Sequence, residues 1–386
     1  MEAPPRPARR SPAGRAQTER FPAAPALAGY VAARLLGLLV LWLMARHFGD
    51  HFSSLLGKWD GRWLVGIAEH GYDTTLTHRS DGTLVNTNVV FFPAYPYLIK
   101  AVAAVTGLST LWAGIVTSWF AGIAAAWGIF AVGNLVYGRR VGVALAVLWG
   151  VQTHAVVESM AYSEGLFTAL CAWTLYALLR RRWLTAGTLC LLAGTTRAAS
   201  VVLVAVVVGA AAVEAVRRRD AWRPWAAALL APLGLLGYLA WVAHALGRAD
   251  GWFYMQRSGW HLRFDGGWAT LHTLVNRVLL EATSFELYEV TAILLASIVL
   301  VVLLAFLRPP WPLLAYAAGL LVLTIGGAGY YHSKARFLLP AFPLLLPVAA
   351  ALGRARVHVP AFVLPALALA SAWYGGYLLL LWTASP

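Results

Sequence analysis

Long apolar stretches recur along nearly the whole chain, and no other feature of the sequence constrains the fold as strongly. A transmembrane helix needs about 20 predominantly apolar residues, and many of these stretches approach that length. Only 12% of the residues are charged, about half the share that is typical of soluble domains. Because a helix satisfies its backbone hydrogen bonds within one segment, the sequence predicts an all-α, polytopic membrane protein.

Eleven stretches are candidate membrane spans, and a twelfth, at 91–105, is ambiguous. The ambiguous stretch is short for a crossing, contains Pro93 and Pro96, and carries Lys100. The eleven candidates run over residues 27–47, 109–135, 141–157, 163–179, 183–195, 199–216, 223–247, 288–307, 311–329, 337–352 and 357–382.

The arginine clusters decide how 91–105 is interpreted. Cytoplasmic loops carry an excess of Lys and Arg, so the arginine-rich N-terminal segment is placed inside. If 91–105 crossed the membrane, Arg139 and Arg140 would fall outside, whereas every cluster falls inside if it does not cross. The sequence therefore predicts an interfacial or re-entrant helix at 91–105, about 11 crossings, and a C-terminus outside. Two long outer segments result, 48–108 and 248–287.

The basic residues also account for the formal net charge of +14. Because they lie in short clusters between apolar spans, they indicate orientation in the membrane, and no nucleic-acid partner is expected. Residues 1–25 are rich in Pro, Ala and Arg and are predicted to form a disordered cytoplasmic tail. The remainder, 26–386, is predicted to be a single transmembrane domain. Cys171 and Cys190 lie inside apolar spans, so no disulfide framework is implied.

The segment Trp59–Tyr72, WDGRWLVGIAEHGY, places a carboxylate at the membrane surface soon after the first span. Ionisable groups are costly at bilayer depth and tend to mark function there, so Asp60 is the candidate catalytic residue. The alternative is a carboxylate that merely starts an interfacial helix and is stabilised by the helix dipole. The candidate substrate contacts beside it are Trp59, Arg62 and His70.

Three basic residues at span ends, Arg197, Lys334 and Arg336, break the positive-inside trend because the topology places them outside. An anionic ligand would explain them, since they could hold a phosphate through charge-assisted hydrogen bonds. His332, in the stretch YYHSKAR, is a fourth candidate donor. The alternative is that these side chains only snorkel from helix ends to the interface.

Two further outer segments carry candidate substrate contacts. The stretch 88–100, NVVFFPAYPYLIK, could form a wall of the site through Tyr95, or only a Pro-bent amphipathic helix with aromatic anchors. The turn at 158–164 carries Tyr162 and Glu164, which could bind a sugar hydroxyl or a cation. Glu164 could equally complement the dipole of the helix that follows.

A third outer segment, 252–267, mixes aromatic residues with amide and basic side chains. Aromatic faces beside amides suit a carbohydrate or a lipid head group, with Gln256 and Trp260 as the candidate contacts. A folded lid that binds no ligand fits the same composition.

Several motifs are absent from the sequence: it has no P-loop, no GxGxxG in a soluble βαβ unit, no HExxH, no CxxC and no GxSxG. Nucleotide and zinc chemistry are therefore unsupported. No DxD pair follows the first span, so a divalent cation has no support either, and no cofactor is predicted.

Five short motifs, in this order, resemble the PIG-V family of GT-C mannosyltransferases: WDGRW with a trailing HGY, FFPAYP, AYSEGLF, TTR and ARFLLPAFPLLLP. That family includes the second mannosyltransferase of GPI-anchor assembly and actinobacterial relatives, and the resemblance covers most of the chain. It implies a GT-C fold with interfacial helices in the first outer loop. It also implies a polyprenyl-phosphate-linked donor, mannose as the sugar, and a site on the outer face of the plasma membrane.

The expected reaction is an inverting transfer in one displacement. Asp60 would take the proton from a hydroxyl of a lipid or glycan acceptor as that hydroxyl attacks the sugar C1. Arg197, Lys334 and Arg336 would stabilise the leaving polyprenyl phosphate, and replacing Arg336 is expected to weaken donor use more than stability.

Two alternative functions stay open at this point. One is a flippase or transporter of lipid-linked sugars, although the sequence shows no internal repeat of the kind common in transporters. The other is a GT-C enzyme that uses arabinose, glucose or galactose.

Overall fold

The computed structural model describes residues 21–218, 221–281 and 283–386, and these residues are overwhelmingly helical. The sheet in this part of the chain has two strands, β1 (Arg263–Phe264) and β2 (Gly327–Ala328), which pair antiparallel. The all-α prediction is therefore confirmed. Residues 1–20 of the predicted tail lie outside the described residues, and the first helix begins at Ala24.

The α-helices of the described residues follow one another along the chain, and short 3₁₀ or π turns join several of them. The 3₁₀ turns are Asn88–Val90, Ala155–Ser159, Tyr331–Ser333 and Phe342–Leu345, and the π turns are Met255–Gly259 and Thr273–Leu279. The α-helices are α1 (Ala24–Phe48), α2 (Phe52–Leu55), α3 (Asp60–His70), α4 (Ala94–Thr106), α5 (Thr110–Tyr137), α6 (Arg139–Gly150), α7 (Glu164–Leu179), α8 (Trp183–Gly194), α9 (Ser200–Arg217), α10 (Trp222–Leu230), α11 (Leu233–Ala245), α12 (Gly251–Tyr254), α13 (Trp268–His272), α14 (Phe285–Phe306), α15 (Trp311–Gly326), α16 (Lys334–Phe337), α17 (Leu346–Arg354) and α18 (His358–Leu380).

Six helical segments in the described part of the chain are long and apolar enough to cross a membrane: α1, α5, α9, α10–α11, α14 and α18. A seventh would be the pair Tyr331–Phe337 and Phe342–Arg354, which is bent by 77°. The helices α7, α8 and α15 are apolar but shorter. The prediction of a polytopic membrane protein is confirmed, while the number of about 11 crossings stays a prediction.

The stretch interpreted as interfacial, 91–105, forms α4, which has 13 residues. At 1.5 Å per residue this helix is about 20 Å long, well short of the ~30 Å hydrocarbon core. The N–H of Ala94 donates to the carbonyl of Thr195 at 2.9 Å, so α4 begins beside the turn between α8 and α9. Thr110, at the start of α5, also bonds to Glu69 of α3. We call the region formed by α3, α4, the start of α5 and the turn between α8 and α9 the Asp60 end of the molecule.

The centre of the bundle is α5, which packs extensively against α6 and α7. Small residues permit this packing, as is common between membrane helices. A Cβ atom on Gly133 of α5 would lie 2.8 Å from the Cα of Gly142 in α6, so any larger side chain would push the two backbones apart.

A buried arginine in α1 supports the break that follows α6. The guanidinium of Arg34 donates to the carbonyls of Gly150 and Ala155, which the interrupted helix leaves free. Its Nε lies 3.9 Å from the carboxylate of Glu158, which is also buried. Irregular backbone at membrane depth needs such partners. This contact fixes the turn that leads into the residues of the candidate site.

Candidate active site

Asp60 is the first residue of α3, as expected for a helix that begins near Trp59. Its side chain is 21% exposed, so the carboxylate can reach a ligand. The preceding residue, Trp59, has φ +52° and ψ −116°, a conformation that glycine adopts far more readily. Such a backbone costs about 1–3 kcal/mol and persists only where the surroundings impose it.

Four charged side chains lie next to one another in space across the site. We call them the charged row, which runs in the order Asp60, Arg336, Glu164 and Arg197. Nη1 of Arg336 lies 2.7 Å from Oδ2 of Asp60, and its Nε lies 3.5 Å from Oε1 of Glu164. Nη1 of Arg197 lies 2.8 Å from the same Glu164 oxygen and donates to Oγ of Ser163 at 3.1 Å. Residues from α3, α16, the start of α7 and the α8–α9 turn thus meet at one place.

Burial differs along the charged row. The side chains of Glu164 and Arg336 are 1% and 5% exposed, whereas Asp60 and Arg197 reach the surface. Buried charges must be paired to be tolerated, and two carboxylates here balance two guanidinium groups. No donor among the described residues binds Oδ1 of Asp60, so this oxygen can accept a hydrogen bond from a ligand.

Tyr162 lies beneath the charged row and is 1% exposed. The guanidinium of Arg336 lies 5.3 Å from the centre of its ring. Its hydroxyl accepts a hydrogen bond from the N–H of Asp60 at 3.3 Å and donates to the carbonyl of Lys58 at 3.4 Å. Burial, and then the charge of Asp60, raise the pKa of Tyr162 well above its usual range, so the hydroxyl keeps its proton.

Three of the predicted substrate contacts, Tyr162, Glu164 and Tyr95, are buried. Tyr162 and Glu164 are enclosed as described above. Tyr95 is 0% exposed, and its hydroxyl lies 2.8 Å from the carbonyl of Gly114 and 2.6 Å from Oγ of Ser118. The element that covers Tyr95 is α5, and the local sequence gives no signal for that packing.

His70 lies at the opposite end of α3 from Asp60. It ends α3, ten residues after Asp60, which puts it about 15 Å along the helix axis. Its side chain is exposed, and Nδ1 lies 3.9 Å from a carboxylate oxygen of Glu69. Arg62 is exposed on the first turn of the same helix and stays a candidate contact.

An aromatic group lies one turn beyond Asp60. The ring of Trp63 lies 5.3 Å from that of Trp260 and stacks on Phe91 at 6.1 Å. The indole of Trp260 donates to the carbonyl of Thr87 at 3.2 Å, which fixes the 252–267 segment over α3. Gln256 is half-buried, with an amide oxygen that has no hydrogen-bond partner among the described residues. The amide oxygen is itself buried, so this group offers a ligand mainly the flat faces of its aromatic rings.

A cavity of about 290 Å³ is lined by Lys334, which shares α16 with Arg336, and by His332. Arg277 also lines it, although no sequence pattern marks this residue. The ammonium of Lys334 donates to the carbonyls of Thr324 at 2.6 Å and Gly327 at 2.5 Å, so one of its three N–H groups stays free. The full lining is Ala269, Thr270, Thr273, Arg277, Leu287, Gly327, Gly329, Tyr330, Tyr331, His332 and Lys334.

Tyr330 lines the same cavity and is 38% exposed. Burial, and then the negative charge of Asp60, raise the pKa of its hydroxyl. Among the described residues, no group of three His, Cys, Asp or Glu side chains is arranged to hold a metal ion.

No protein-family model and no curated protein matches the chain. Two solved structures of ArnT from Cupriavidus metallidurans have a similar fold. The structure bound to undecaprenyl phosphate is 13% identical, with a TM-score of 0.50 over 91% of this chain and 76% of ArnT. The apo structure is 12% identical, with a TM-score of 0.51 over 92% of this chain and 76% of ArnT. The chain therefore has the GT-C membrane fold that ArnT represents.

Proposed function

We propose that the protein is a membrane glycosyltransferase that moves mannose from a polyprenyl-phosphate donor to a hydroxyl of a lipid or glycan acceptor, with inversion at C1. The observation that carries the proposal is the half-paired carboxylate of Asp60. One of its oxygens is bound by a buried arginine, the other has no hydrogen-bond donor among the described residues, and the side chain is 21% exposed. The shared fold with ArnT, which was solved with undecaprenyl phosphate, supports the class of donor.

In this reaction, Oδ1 of Asp60 takes the proton of the acceptor hydroxyl as that oxygen bonds to C1. The bond between C1 and the phosphate oxygen breaks, and its electron pair leaves with the polyprenyl phosphate. Asp60 then releases its proton to water. The leaving phosphate needs no protonation, so one positioned carboxylate suffices, and a general base typically contributes ~10²–10⁴-fold.

The donor phosphate is proposed to lie in the cavity lined by Lys334, His332 and Arg277. In the sequence-based hypothesis, Arg197 and Arg336 shared this task. In the structure both are neutralised by Glu164 and Asp60, whereas the two cations that line the cavity have no carboxylate partner among the described residues. Developing negative charge on the leaving group would be stabilised by such preorganised donors.

The remaining assignments follow the sequence motifs. Mannose rests on the resemblance to the PIG-V family, and Trp59, Trp260, Gln256 and Arg62 are the proposed contacts of the sugar or acceptor. The arginine clusters support a cytoplasmic N-terminus and an Asp60 end on the outer face of the plasma membrane. Membrane lipids surround the bundle.

The test is a transfer assay with the purified full chain in vesicles that contain polyprenyl phosphate carrying radiolabelled mannose. The expected result is label covalently attached to an acceptor from a membrane extract. Label that only crosses the bilayer, still attached to its polyprenyl phosphate, would support a flippase instead. Donors that carry arabinose, glucose or galactose, tested in parallel, decide which sugar is used.

Arg277→Gln is expected to raise the KM for the donor about tenfold, because one charge-assisted hydrogen bond to the phosphate is lost at a partly exposed site. The kcat should fall as well, because the developing charge of the leaving phosphate loses one of its donors, so kcat/KM for the donor measures the combined loss. Arg257→Gln is the matched control: Arg257 lies on the same outer segment, but its guanidinium pairs with Asp250 at 3.3 Å. Equal KM values for the two variants would remove Arg277 from the phosphate site.

A further inference from the structure

The hydroxyl of Tyr162 joins the two peptide groups that flank Trp59. It accepts from the N–H of Asp60 at 3.3 Å, on one side, and donates to the carbonyl of Lys58 at 3.4 Å, on the other. The residue between these two contacts has a positive-φ backbone, with φ +52° and ψ −116°. A tryptophan does not hold this conformation by itself, because its Cβ crowds the backbone there.

The chain before Trp59 and the backbone of Tyr162 are both anchored by other contacts. The N–H of Ala161 donates to the carbonyl of Leu56 at 3.0 Å, and the ammonium of Lys58 donates to the carbonyl of Leu379 at 2.9 Å. The carbonyl of Tyr162 accepts from Oγ of Ser118 in α5 at 3.0 Å. The phenol therefore projects from a fixed backbone, and the peptide groups on either side of Trp59 are held against it.

We propose that Tyr162 is a positioning residue whose hydroxyl holds the strained turn at Trp59 and thereby sets the direction of the Asp60 carboxylate. This inference rests on the proposed role of Asp60 as the base. Without the hydroxyl, the turn relaxes to an ordinary backbone conformation, and the carboxylate leaves the position in which Oδ2 meets Arg336 and Oδ1 faces the acceptor. The ring alone, which supports Arg336, does not replace this function.

Tyr162→Phe removes only the hydroxyl and keeps the ring. It is expected to lower kcat about tenfold to a hundredfold, the scale of a small misplacement of a reacting group. The KM for the donor should stay within about twofold, since the phosphate cavity is unchanged. Tyr316→Phe is the matched control, because it deletes another fully buried hydroxyl, from α15, and its kcat should stay within about twofold of the wild-type value.

The decisive measurement repeats Tyr162→Phe in a Trp59→Gly background. Glycine adopts this backbone conformation without strain, so the turn depends less on the Tyr162 hydroxyl. The additional loss of kcat that Tyr162→Phe causes in this background should therefore be about threefold or less. The comparison is between two chains that both carry Trp59→Gly, so the cost of losing the indole cancels. An equal fold-loss in both backgrounds, or an equal effect of Tyr316→Phe, would overturn the proposal.

The same four chains separate this inference from the proposed function. If the wild-type chain transferred no sugar at all, the proposed function would fail. The role of the Tyr162 hydroxyl in holding the turn would then be tested by thermal unfolding. Tyr162→Phe should then lower Tm clearly more in the wild-type background than in the Trp59→Gly background. An equal decrease in Tm in both backgrounds would show that the hydroxyl contributes only to packing and does not hold the turn.

Discussion

Asp60→Asn is expected to reduce kcat by about 10²–10⁴-fold while the protein still folds, since an amide cannot take the proton of the acceptor. The side chain keeps its size, and the amide oxygen can still accept from Nη1 of Arg336. Arg336 retains Glu164 as a charged partner at 3.5 Å, so the buried guanidinium is not left alone. Transfer of radiolabelled mannose measures the loss, and Tm in detergent measures the fold.

Glu69→Gln is the control for this variant, because it removes a carboxylate from the same helix. Glu69 is exposed, lies nine residues on, and bonds to Thr110, so its loss should leave kcat within about twofold. Turnover near the wild-type rate in Asp60→Asn would remove Asp60 from the role of base. A large drop in Tm would instead assign the carboxylate to folding.

Arg336→Met is expected to destabilise the protein by about 3–5 kcal/mol, as well as to abolish transfer. The substitution removes the cation that lies between Asp60 and Glu164, so Asp60 loses its partner and two acids are left with Arg197 as the one cation of the charged row. This result differs from the sequence-based expectation, in which Arg336 mattered for the donor far more than for stability. Urea or thermal unfolding of the purified variant measures the change.

A charge-balanced double variant separates the two effects of Arg336. Arg336→Met combined with Asp60→Asn removes one charge of each sign and keeps the pair of Glu164 and Arg197 at 2.8 Å, so most of the lost stability should return, but no transfer should return with it. Arg336→Met with a Tm equal to that of the wild-type chain would show that the two acids do not need this cation.

Parts of the fold were predictable because their signals are local. Apolar length and the arginine clusters predicted a polytopic helical protein and an α4 too short to cross. The helix start at Asp60 was predicted from the tryptophan–aspartate pair and the amphipathic residues that follow it. These inferences depend on properties of about 10 to 20 consecutive residues, which the sequence displays directly.

The pairing within the site was not predictable in the same way. Arg336 and Asp60 are 276 residues apart, and only the arrangement of the helices brings them to 2.7 Å. The sequence marked both as functional but suggested a phosphate as the partner of Arg336, because no pattern predicts which acid a distant arginine meets. Arg277 was not predicted for a related reason. It is an exposed arginine in the π turn Thr273–Leu279, and only the folded structure shows that it lines a cavity.

The charged row has a consequence for how such chains diversify. Because Glu164 contacts both arginines, an exchange at any of the four positions changes the electrostatic environment of the other three, and their effects will not add. Relatives that have lost the arginine at 197 should therefore also have replaced the acid at 164, or acquired a new base nearby. Covariation of these positions in pairs, rather than independent drift at each, is the evolutionary signature that this geometry predicts.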